Sequence, residues 1–302
     1  SDGVYWTAKS EETLVDPDYR GQKLFEKMYA MLFDYAREHE FAWIWGFTPA
    51  TKAFVRLDFT VPDRTEQLFM PFSTRSIPVM MAKSLGGKKP GAAHSLKIAA
   101  ARTGCLAAQA LSSIKASSGR KRAIADIDIR TMEKADEQTG DLCRRFIANF
   151  GGTTIYRDAK YLEWRLYNNP YCGSVVRALY KDDKLLGYVA FALGDDGMGY
   201  LVDLLVPGDD TRYATEDLVR MLLLEAVYGT RNMGATGIRG WRVNNHPFDK
   251  LIGRIAGQIG FYHIRRGYDV VLYNCEAGQK RAVHGEFDQW YVSRIFTEGV
   301  LG

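Results

Sequence analysis

One order of elements occurs twice in this chain and limits what the chain can fold into. The first copy runs from Leu14-Val-Asp-Pro17 through a helical pattern, a buried strand and a short helix to Asp58-Phe59. The second copy runs from Leu204-Leu-Val-Pro207 through the same order to Gly260-Phe261. Because a recurring order of this kind marks a repeated supersecondary unit, the sequence predicts two similar α/β domains in tandem.

The first copy contains a stretch that is suited to binding an anion. A β-type run, Glu12-Thr-Leu-Val15, meets the turn signal Asp16-Pro-Asp18, and Arg20-Gly21-Gln22 follows. A helix is then predicted from about Leu24 to Glu38, since apolar residues recur at helical spacing at Leu24, Met28, Met31, Leu32 and Tyr35. The first turn of a helix has unpaired N–H groups, and a glycine lets the backbone approach a phosphate closely. We therefore expect a phosphate to bind at this turn.

The same stretch resembles a known family. Val15-x-Pro17-x-Tyr19-Arg20-Gly21-Gln22-x-Leu24-Phe25 is similar to the acyl-CoA pyrophosphate loop of the GNAT superfamily of N-acyltransferases, and Ile44-Trp-Gly-Phe47 to the next strand. The resemblance implies that acetyl-CoA or another acyl-CoA binds here as a substrate. Backbone amides would hold its pyrophosphate, and the preceding strand would pair with its pantetheine arm. The cofactor-binding residues would be Leu14, Val15, Arg20, Gly21, Gln22, Lys23 and Leu24. Lys23 departs from the family's R-G-x-G pattern.

The resemblance also implies a fold. We expect an α/β (α+β) chain of two tandem GNAT-like domains, each a mixed, mostly antiparallel sheet flanked by helices. The predicted ranges are 1–75 for the domain with the acyl-CoA loop, 76–122 for a basic helical connector and 123–302 for the second domain. Asp209 and Asp210 would repel a pyrophosphate, so the second loop is expected to be degenerate. The first domain lacks about three early strands, so either the natural N-terminus is missing or another element completes that sheet.

Acyl transfer to an amine needs a base for the amine and a proton for the departing thiolate. Glu11 and Glu12 precede the loop, and strand alternation would place only one of them in the cleft. The family often places a tyrosine acid in the second short helix, where this chain has Phe54. His246 is a second candidate base, with a helix cap as the alternative reading.

The candidate acceptor residues are aromatic, cationic and amide side chains of the second domain. They are Trp164, Arg165, Trp241 and Asn244. The run from Tyr161 to Tyr171 resembles a segment of tandem GNAT proteins linked to bacterial surface-polysaccharide synthesis. That resemblance implies that the acceptor amine belongs to a nucleotide-linked amino sugar. Two alternatives stay open: a peptide or aminoacyl acceptor with the same fold, and a non-catalytic CoA-binding or scaffold protein.

The charge is uneven along the 302 residues, although the net charge is only +4. Residues 67–125 contain ten Lys and Arg and no Asp or Glu. Such a stretch is typical of a solvated connector, or it attracts substrate phosphates or an anionic membrane surface. The small net charge gives no reason to expect a nucleic-acid partner, and a homodimer is left open.

The remaining expectations concern what the sequence does not contain. The cysteines form no C-x-x-C pair and the histidines have no metal-ligand spacing, so no metal is predicted. No apolar stretch is long enough to span a bilayer, and no signal peptide is recognised. We therefore expect a cytoplasmic protein with buried thiols.

Overall fold

The computed structural model describes residues 3–11, 13–82, 92–120, 124, 126–170, 173–243, 246–264, 267–275 and 287–297. The strands are β1 (Thr7–Ser10), β2 (Trp43–Thr48), β3 (Glu66–Pro71), β4 (Asp128–Thr131), β5 (Ser174–Lys181), β6 (Lys184–Leu193), β7 (Gly199–Leu205), β8 (Gly237–Arg242), β9 (Tyr262–Ile264) and β10 (Asp269–Asn274). The helices are α1 (Leu24–Glu38), α2 (Thr51–Val55), α3 (Ser76–Ala82), α4 (Ala92–Arg120), α5 (Glu137–Phe150), α6 (Ala159–Leu162), α7 (Thr215–Asn232) and α8 (Pro247–Ile259).

The chain forms two compact units, and each is built from two separate stretches. Unit 1 comprises Ser1–Glu66 and Arg266–Asp288, and unit 2 comprises Gln67–Arg265 and Gln289–Gly302. This division differs from the continuous ranges predicted with ends at residues 75 and 122. The connector helix α4 belongs to unit 2, and β10 belongs to unit 1. The ranges of the two evolutionary copies stay a prediction.

Unit 1 has a three-stranded sheet in the order β1-β2-β10. β1 runs parallel to β2, from Thr7 opposite Trp43 to Ser10 opposite Gly46, and β10 runs antiparallel to β2. The predicted strand at residues 12–15 was wrong: Ser10 ends β1, and the residues from Thr13 to Asp16 form no strand. Pro17 cannot donate to a strand ladder, and Asp16 caps the turn that follows.

Helix α1 has the predicted bounds, but it turns a different face to the core. Its buried face consists of Phe25, Tyr29, Leu32, Phe33 and Ala36. Leu24, Met28, Met31 and Tyr35, four of the five positions used to predict the helix, are exposed. Two apolar stripes offset by one residue have the same period. The aromatic stripe packs because Tyr29 contacts both Phe25 and Phe33. Each of these three rings also contacts Phe54 or Phe59.

Unit 2 has a seven-stranded mixed sheet in the order β4-β5-β6-β7-β8-β3-β9. Strands β4 to β7 form an antiparallel meander, and β7 is parallel to β8. The β5–β6 hairpin turns on Asp182 and Asp183, which both have positive φ, as a two-residue turn requires. The expected mixed, mostly antiparallel sheet flanked by helices is confirmed.

Two strands are exchanged between the units: each lies in the sheet of the unit that contains the other copy of the sequence repeat. β3 follows the first copy along the chain, yet it lies between β8 and β9 in the sheet of unit 2. β10 follows the second copy, yet it pairs with β2 in unit 1. Periodicity within a segment does not identify its partner strand, so the sequence did not reveal this exchange.

Two further segments lie outside the sheets. The residues after Phe287 form 3-10 turns at Phe287–Gln289 and Arg294–Phe296 with buried side chains between them. Helix α4, in the predicted helical connector, extends to Arg120. In the described part of the chain, no helix is both long and apolar enough to cross a membrane.

Candidate functional site

The two parallel strands of unit 1 separate at their carboxyl ends. Pairing stops at Ser10 and Gly46, whereas β2 continues to Thr48. Gly46 permits this close approach, because a β-carbon there would lie 2.5 Å from the Ser10 carbonyl oxygen. Beyond Ser10 the chain leaves β2, so its backbone groups are released from the ladder. A ligand with its own donors and acceptors can pair with them.

The turn from β1 into α1 contains two left-handed residues. Asp16 accepts a hydrogen bond from the Asp18 N–H at 2.9 Å, and the Arg20 Nε–H donates to the Val15 carbonyl at 3.4 Å. Gly21 has φ +83°, and Lys23, the residue before α1, has φ +57°. Lys23 therefore adopts the conformation that a glycine adopts most readily. This accounts for the departure from R-G-x-G: the backbone geometry is kept without the second glycine.

The start of α1 is open to an anion. In the part of the chain that the structure describes, no side chain caps this helix end. Its first N–H groups and the positive end of its dipole point at an exposed turn that carries Arg20 and Lys23, and Lys27 is exposed in the first turn of the helix. The seven predicted cofactor residues lie along this one turn, and all except the half-buried Val15 are exposed. Their binding role stays a prediction.

Glu11 lies just after β1, where the strands separate. Its half-buried carboxylate forms an ion pair with Lys9, whose ammonium lies 5.8 Å from the Trp45 ring and 5.6 Å from the Phe47 ring. The pair fixes the carboxylate near the end of the strand. Glu12 lies outside the described residues. The role of either as a base stays a prediction.

Three hydroxyl groups meet at the end of β1, and the sequence did not single them out. The Ser10 hydroxyl contacts the Tyr29 hydroxyl, and the Thr13 hydroxyl lies 3.4 Å from each of them. Tyr29 packs against Phe54, with ring centroids 5.4 Å apart. Phe54, at the position where the family often has an acid, is thus a core residue, and the neighbouring hydroxyl belongs to Tyr29. The sequence feature that could have identified Tyr29 was its spacing of four residues from Phe25, which is typical of one helix face.

The second copy repeats the strand separation, but the chain itself occupies it. β7 and β8 pair only at Gly199 with Ile238 and at Tyr200 with Arg239. Beyond that point the Tyr291 hydroxyl donates to the Leu204 carbonyl at 2.5 Å, and the Ser293 hydroxyl donates to Asp203 at 2.6 Å. The cavity that remains beside these residues has a volume of about 10 Å³, enough for a water molecule.

A buried ion pair lies beneath this segment. The Arg157 guanidinium donates to both Asp203 oxygens, at 2.8 and 3.1 Å, and the Tyr188 hydroxyl donates to Asp203 at 2.6 Å. Burial opposes the charge on Arg157, but the Asp203 carboxylate outweighs it and holds the guanidinium pKa well above its ordinary value. Burial also raises the pKa of Tyr188. These groups stabilise the segment that fills the second strand separation.

The acidic residues of the second loop have arginine partners. Asp209 accepts two hydrogen bonds from Arg145, both at 2.7 Å, and Asp210 pairs with Arg212. Their repulsion of a phosphate is therefore smaller than the sequence suggested. The occupied strand separation is the stronger reason to expect a degenerate second copy.

His246 is buried at the start of α8, where it caps the helix. Its Nδ1 accepts a hydrogen bond from the Phe248 N–H, and its Nε2 lies 3.1 Å from the Gly151 carbonyl. Burial lowers the His246 pKa, and the bond to Gly151 partly offsets this. Both ring nitrogens are engaged, which supports the alternative of a helix cap. The catalytic role stays a prediction.

The predicted acceptor residues differ in exposure. Trp164 is exposed, whereas Arg165 is buried and donates to the carbonyls of Ile295 and Thr297. Trp241 is buried, with the Arg294 guanidinium 4.4 Å from its ring. Asn244 lies outside the described residues. Only Trp164 among the described three offers a substrate an open surface, and the acceptor roles stay predictions.

No group of three or more His, Cys, Asp or Glu side chains in the described ranges could hold a metal ion.

Comparison with known proteins shows the fold. No family model and no curated protein matches the chain. A GCN5-related N-acetyltransferase from Anabaena variabilis ATCC 29413 matches with a TM-score of 0.55 and 10% identity. A conserved protein of unknown function from Enterococcus faecalis V583, named as a probable N-acyltransferase, matches with a TM-score of 0.52 and 10% identity. The chain has the fold of these two proteins. Each match covers 90% of this chain and 55% of the other, so the chain spans about half their length.

Proposed function

We propose that the chain is an acyl-CoA-dependent N-acyltransferase that binds its acyl donor in unit 1. The observation that carries the proposal is the strand separation after Ser10 and Gly46, followed by the left-handed turn at Gly21 and Lys23 and the uncapped start of α1. The turn suits a pyrophosphate, and the backbone released from the ladder beyond Ser10 suits a pantetheine arm. The fold shared with a GCN5-related N-acetyltransferase and with a protein named as a probable N-acyltransferase supports the same assignment.

Direct transfer from thioester to amine follows from the side chains at this site. The neutral acceptor amine attacks the thioester carbonyl carbon, and Glu11 accepts the proton that the nitrogen loses as the N–C bond forms and later releases it to solvent. A backbone N–H beyond the end of β1 stabilises the oxyanion that forms. The C–S bond then breaks, and the Tyr29 hydroxyl protonates the thiolate and regains its proton from solvent through Ser10 and Thr13. Glu12 is the alternative base.

Unit 2 is not expected to bind a second acyl-CoA. Its own strand separation contains Tyr291 and Ser293, so one acyl-CoA binds per chain. The proposed acceptor is the amine of a nucleotide-linked amino sugar, as the resemblance of residues 161–171 implies. The exposed ring of Trp164 is available for stacking on a base. Cytoplasmic localisation and a homodimer stay predictions.

The test is acetyl-CoA binding by the 302-residue chain and by two variants of one glycine. At a hundred times Kd, a ligand adds about 2.7 kcal/mol to the stability of the unit that binds it. Gly21→Asn and Gly21→Asp place side chains of similar size at the same positive φ, with no heavy atom within 4 Å of the new β-carbon. Asn tolerates this conformation, so the pair isolates the effect of a negative charge.

The wild type and Gly21→Asn should show a thermal shift with acetyl-CoA, and Gly21→Asp should show little or none. A shift that survives in Gly21→Asp would place the donor elsewhere. No shift in the folded wild type would overturn the proposed function. If binding is as expected, amino-sugar nucleotides can then be screened for thiol release.

A further inference from the structure

Helix α4 presents large apolar side chains to solvent. Leu106 is 59% exposed, Leu111 56% and Ile114 64%, and Ala107 and Ala110 beside them are exposed as well. At about 100° per residue these five positions fall within one arc of about 140°. An apolar face of this kind on a surface helix marks an interaction site.

The orientation of α4 is fixed by its opposite face. Cys105, Ser112 and Ala116 are buried, and the Ser112 hydroxyl donates to the Gly260 carbonyl at 2.7 Å. The Tyr262 hydroxyl donates to the Ala108 carbonyl at 3.2 Å. The helix is thus anchored to unit 2, and its apolar face points outward in the folded chain.

Cations flank the apolar face on both sides. On the same helical wheel, Arg102 lies beside Leu106 at one edge of the arc, and Lys97 and Lys115 lie beyond Leu111 at the other. Residues 67–125, which include the helix, contain ten Lys and Arg and no carboxylate. The face therefore combines an apolar centre with basic margins.

We propose that the outward face of α4 lies on an anionic membrane surface. The apolar residues would enter the boundary between headgroups and acyl chains, and the flanking cations would pair with lipid phosphates. A second copy of the chain fits less well, because a two-fold contact would bring the same basic, carboxylate-free face against itself. A nucleic acid fits less well, because Leu106, Leu111 and Ile114 occupy the centre of the face, where phosphates would have to bind.

The test is co-sedimentation of the 302-residue chain with lipid vesicles. We expect binding to vesicles that contain phosphatidylglycerol and little binding to pure phosphatidylcholine. The triple variant Leu106→Gln/Leu111→Gln/Ile114→Gln should lose at least about tenfold in lipid partitioning, since each change removes a buried aliphatic group from the membrane. The variant Lys97→Gln/Arg102→Gln/Lys115→Gln should bind anionic vesicles more weakly, and added salt should weaken the wild type.

A matched control removes exposed apolar groups from unit 1 instead. Met31→Gln/Val55→Gln/Val61→Gln alters three exposed residues and should leave vesicle binding unchanged. All the substituted side chains are exposed or at the helix surface, so the thermal midpoints should stay close to that of the wild type. Acetyl-CoA binding provides a separate readout, because the proposed lipid contact does not depend on it.

Equal binding of neutral and anionic vesicles, or no binding by the folded wild type, would overturn the proposal. So would unchanged binding by the apolar triple variant. Light scattering coupled to size-exclusion chromatography tests whether two copies of the chain associate. If the wild type is a dimer and the apolar triple variant is a monomer, the face would be assigned to self-association. Binding to an unrelated duplex DNA that competes with anionic vesicles would assign the face to nucleic acid.

Discussion

The buried pair of Arg157 and Asp203 makes a sharp prediction about the stability of unit 2. Both side chains are fully buried, and the carboxylate accepts two hydrogen bonds from Arg157, one from Tyr188 and one from Ser293. Asp203→Asn keeps the side-chain shape but leaves a buried guanidinium without its countercharge. Breaking such a pair costs about 3–5 kcal/mol. A loss of this size is a large part of the stability of an ordinary domain.

Native-state hydrogen exchange measures the effect in each unit separately. Amides of β6 and β7 report on unit 2, and amides of α1 report on unit 1, which should not change. Asp183→Asn is the matched control, because Asp183 pairs with Arg130 while its side chain is 91% exposed, and such pairs contribute about 1 kcal/mol or less. Arg157→Leu with Asp203→Leu should cost less than Asp203→Asn, because no buried charge remains. If Asp203→Asn lost no more than Asp183→Asn, the reasoning would be refuted.

Three further predictions concern the histidine cap, the strand contact and the hydroxyl cluster. The lowered pKa of His246 means that the folded state resists protonation, so unit 2 should be fully stable above about pH 6.5 and lose stability as pH falls below it. His246→Asn keeps a helix cap and should reduce this dependence below about pH 6.5 in thermal unfolding; an identical pH profile would contradict it. Gly46→Ala should destabilise unit 1 by about 1–3 kcal/mol, because the new methyl group meets the Ser10 carbonyl, and calorimetry should show weaker binding of acetyl-CoA. Gly104→Ala, on an open helix face, is the control. Equal thermal midpoints for the two variants would argue against the Gly46–Ser10 contact. Tyr29→Phe removes only a hydroxyl and should lower kcat by about a hundredfold in a thiol-release assay, with little change in KM for acetyl-CoA; an unchanged kcat would exclude Tyr29 as the acid.

Local structure was predictable from the sequence wherever one strong pattern acts alone. The helix Leu24–Glu38 has its predicted bounds, since helical spacing is a property of a single segment. The turn with Gly21 was predictable for a similar reason, because a left-handed residue before a helix favours glycine. The cap at His246 was offered as an alternative, and its hydrogen bonds support it.

What the sequence missed depends on contacts between distant segments. Nothing local distinguishes the exposed stripe of Met28 and Met31 from the buried stripe of Tyr29 and Phe33, because both recur at helical spacing. The hydroxyl cluster forms only when the end of β1 meets α1. The segment containing Tyr291 fills the second strand separation through bonds to Asp203 and Leu204, and no pattern within residues 287–297 names those partners.

The exchange of β3 and β10 has a consequence for how the protein is made. During synthesis β2 emerges before unit 2, but the strand that covers its second edge, residues 269–274, leaves the ribosome only after most of unit 2. Until then a strand rich in aromatic residues has an open edge, which is the kind of surface that pairs with other chains. A premature stop near residue 265 would deprive unit 1 of β10 and unit 2 of the segment that contains Tyr291 and Ser293. A late nonsense mutation should therefore leave the second edge of β2 open and cause aggregation through unit 1.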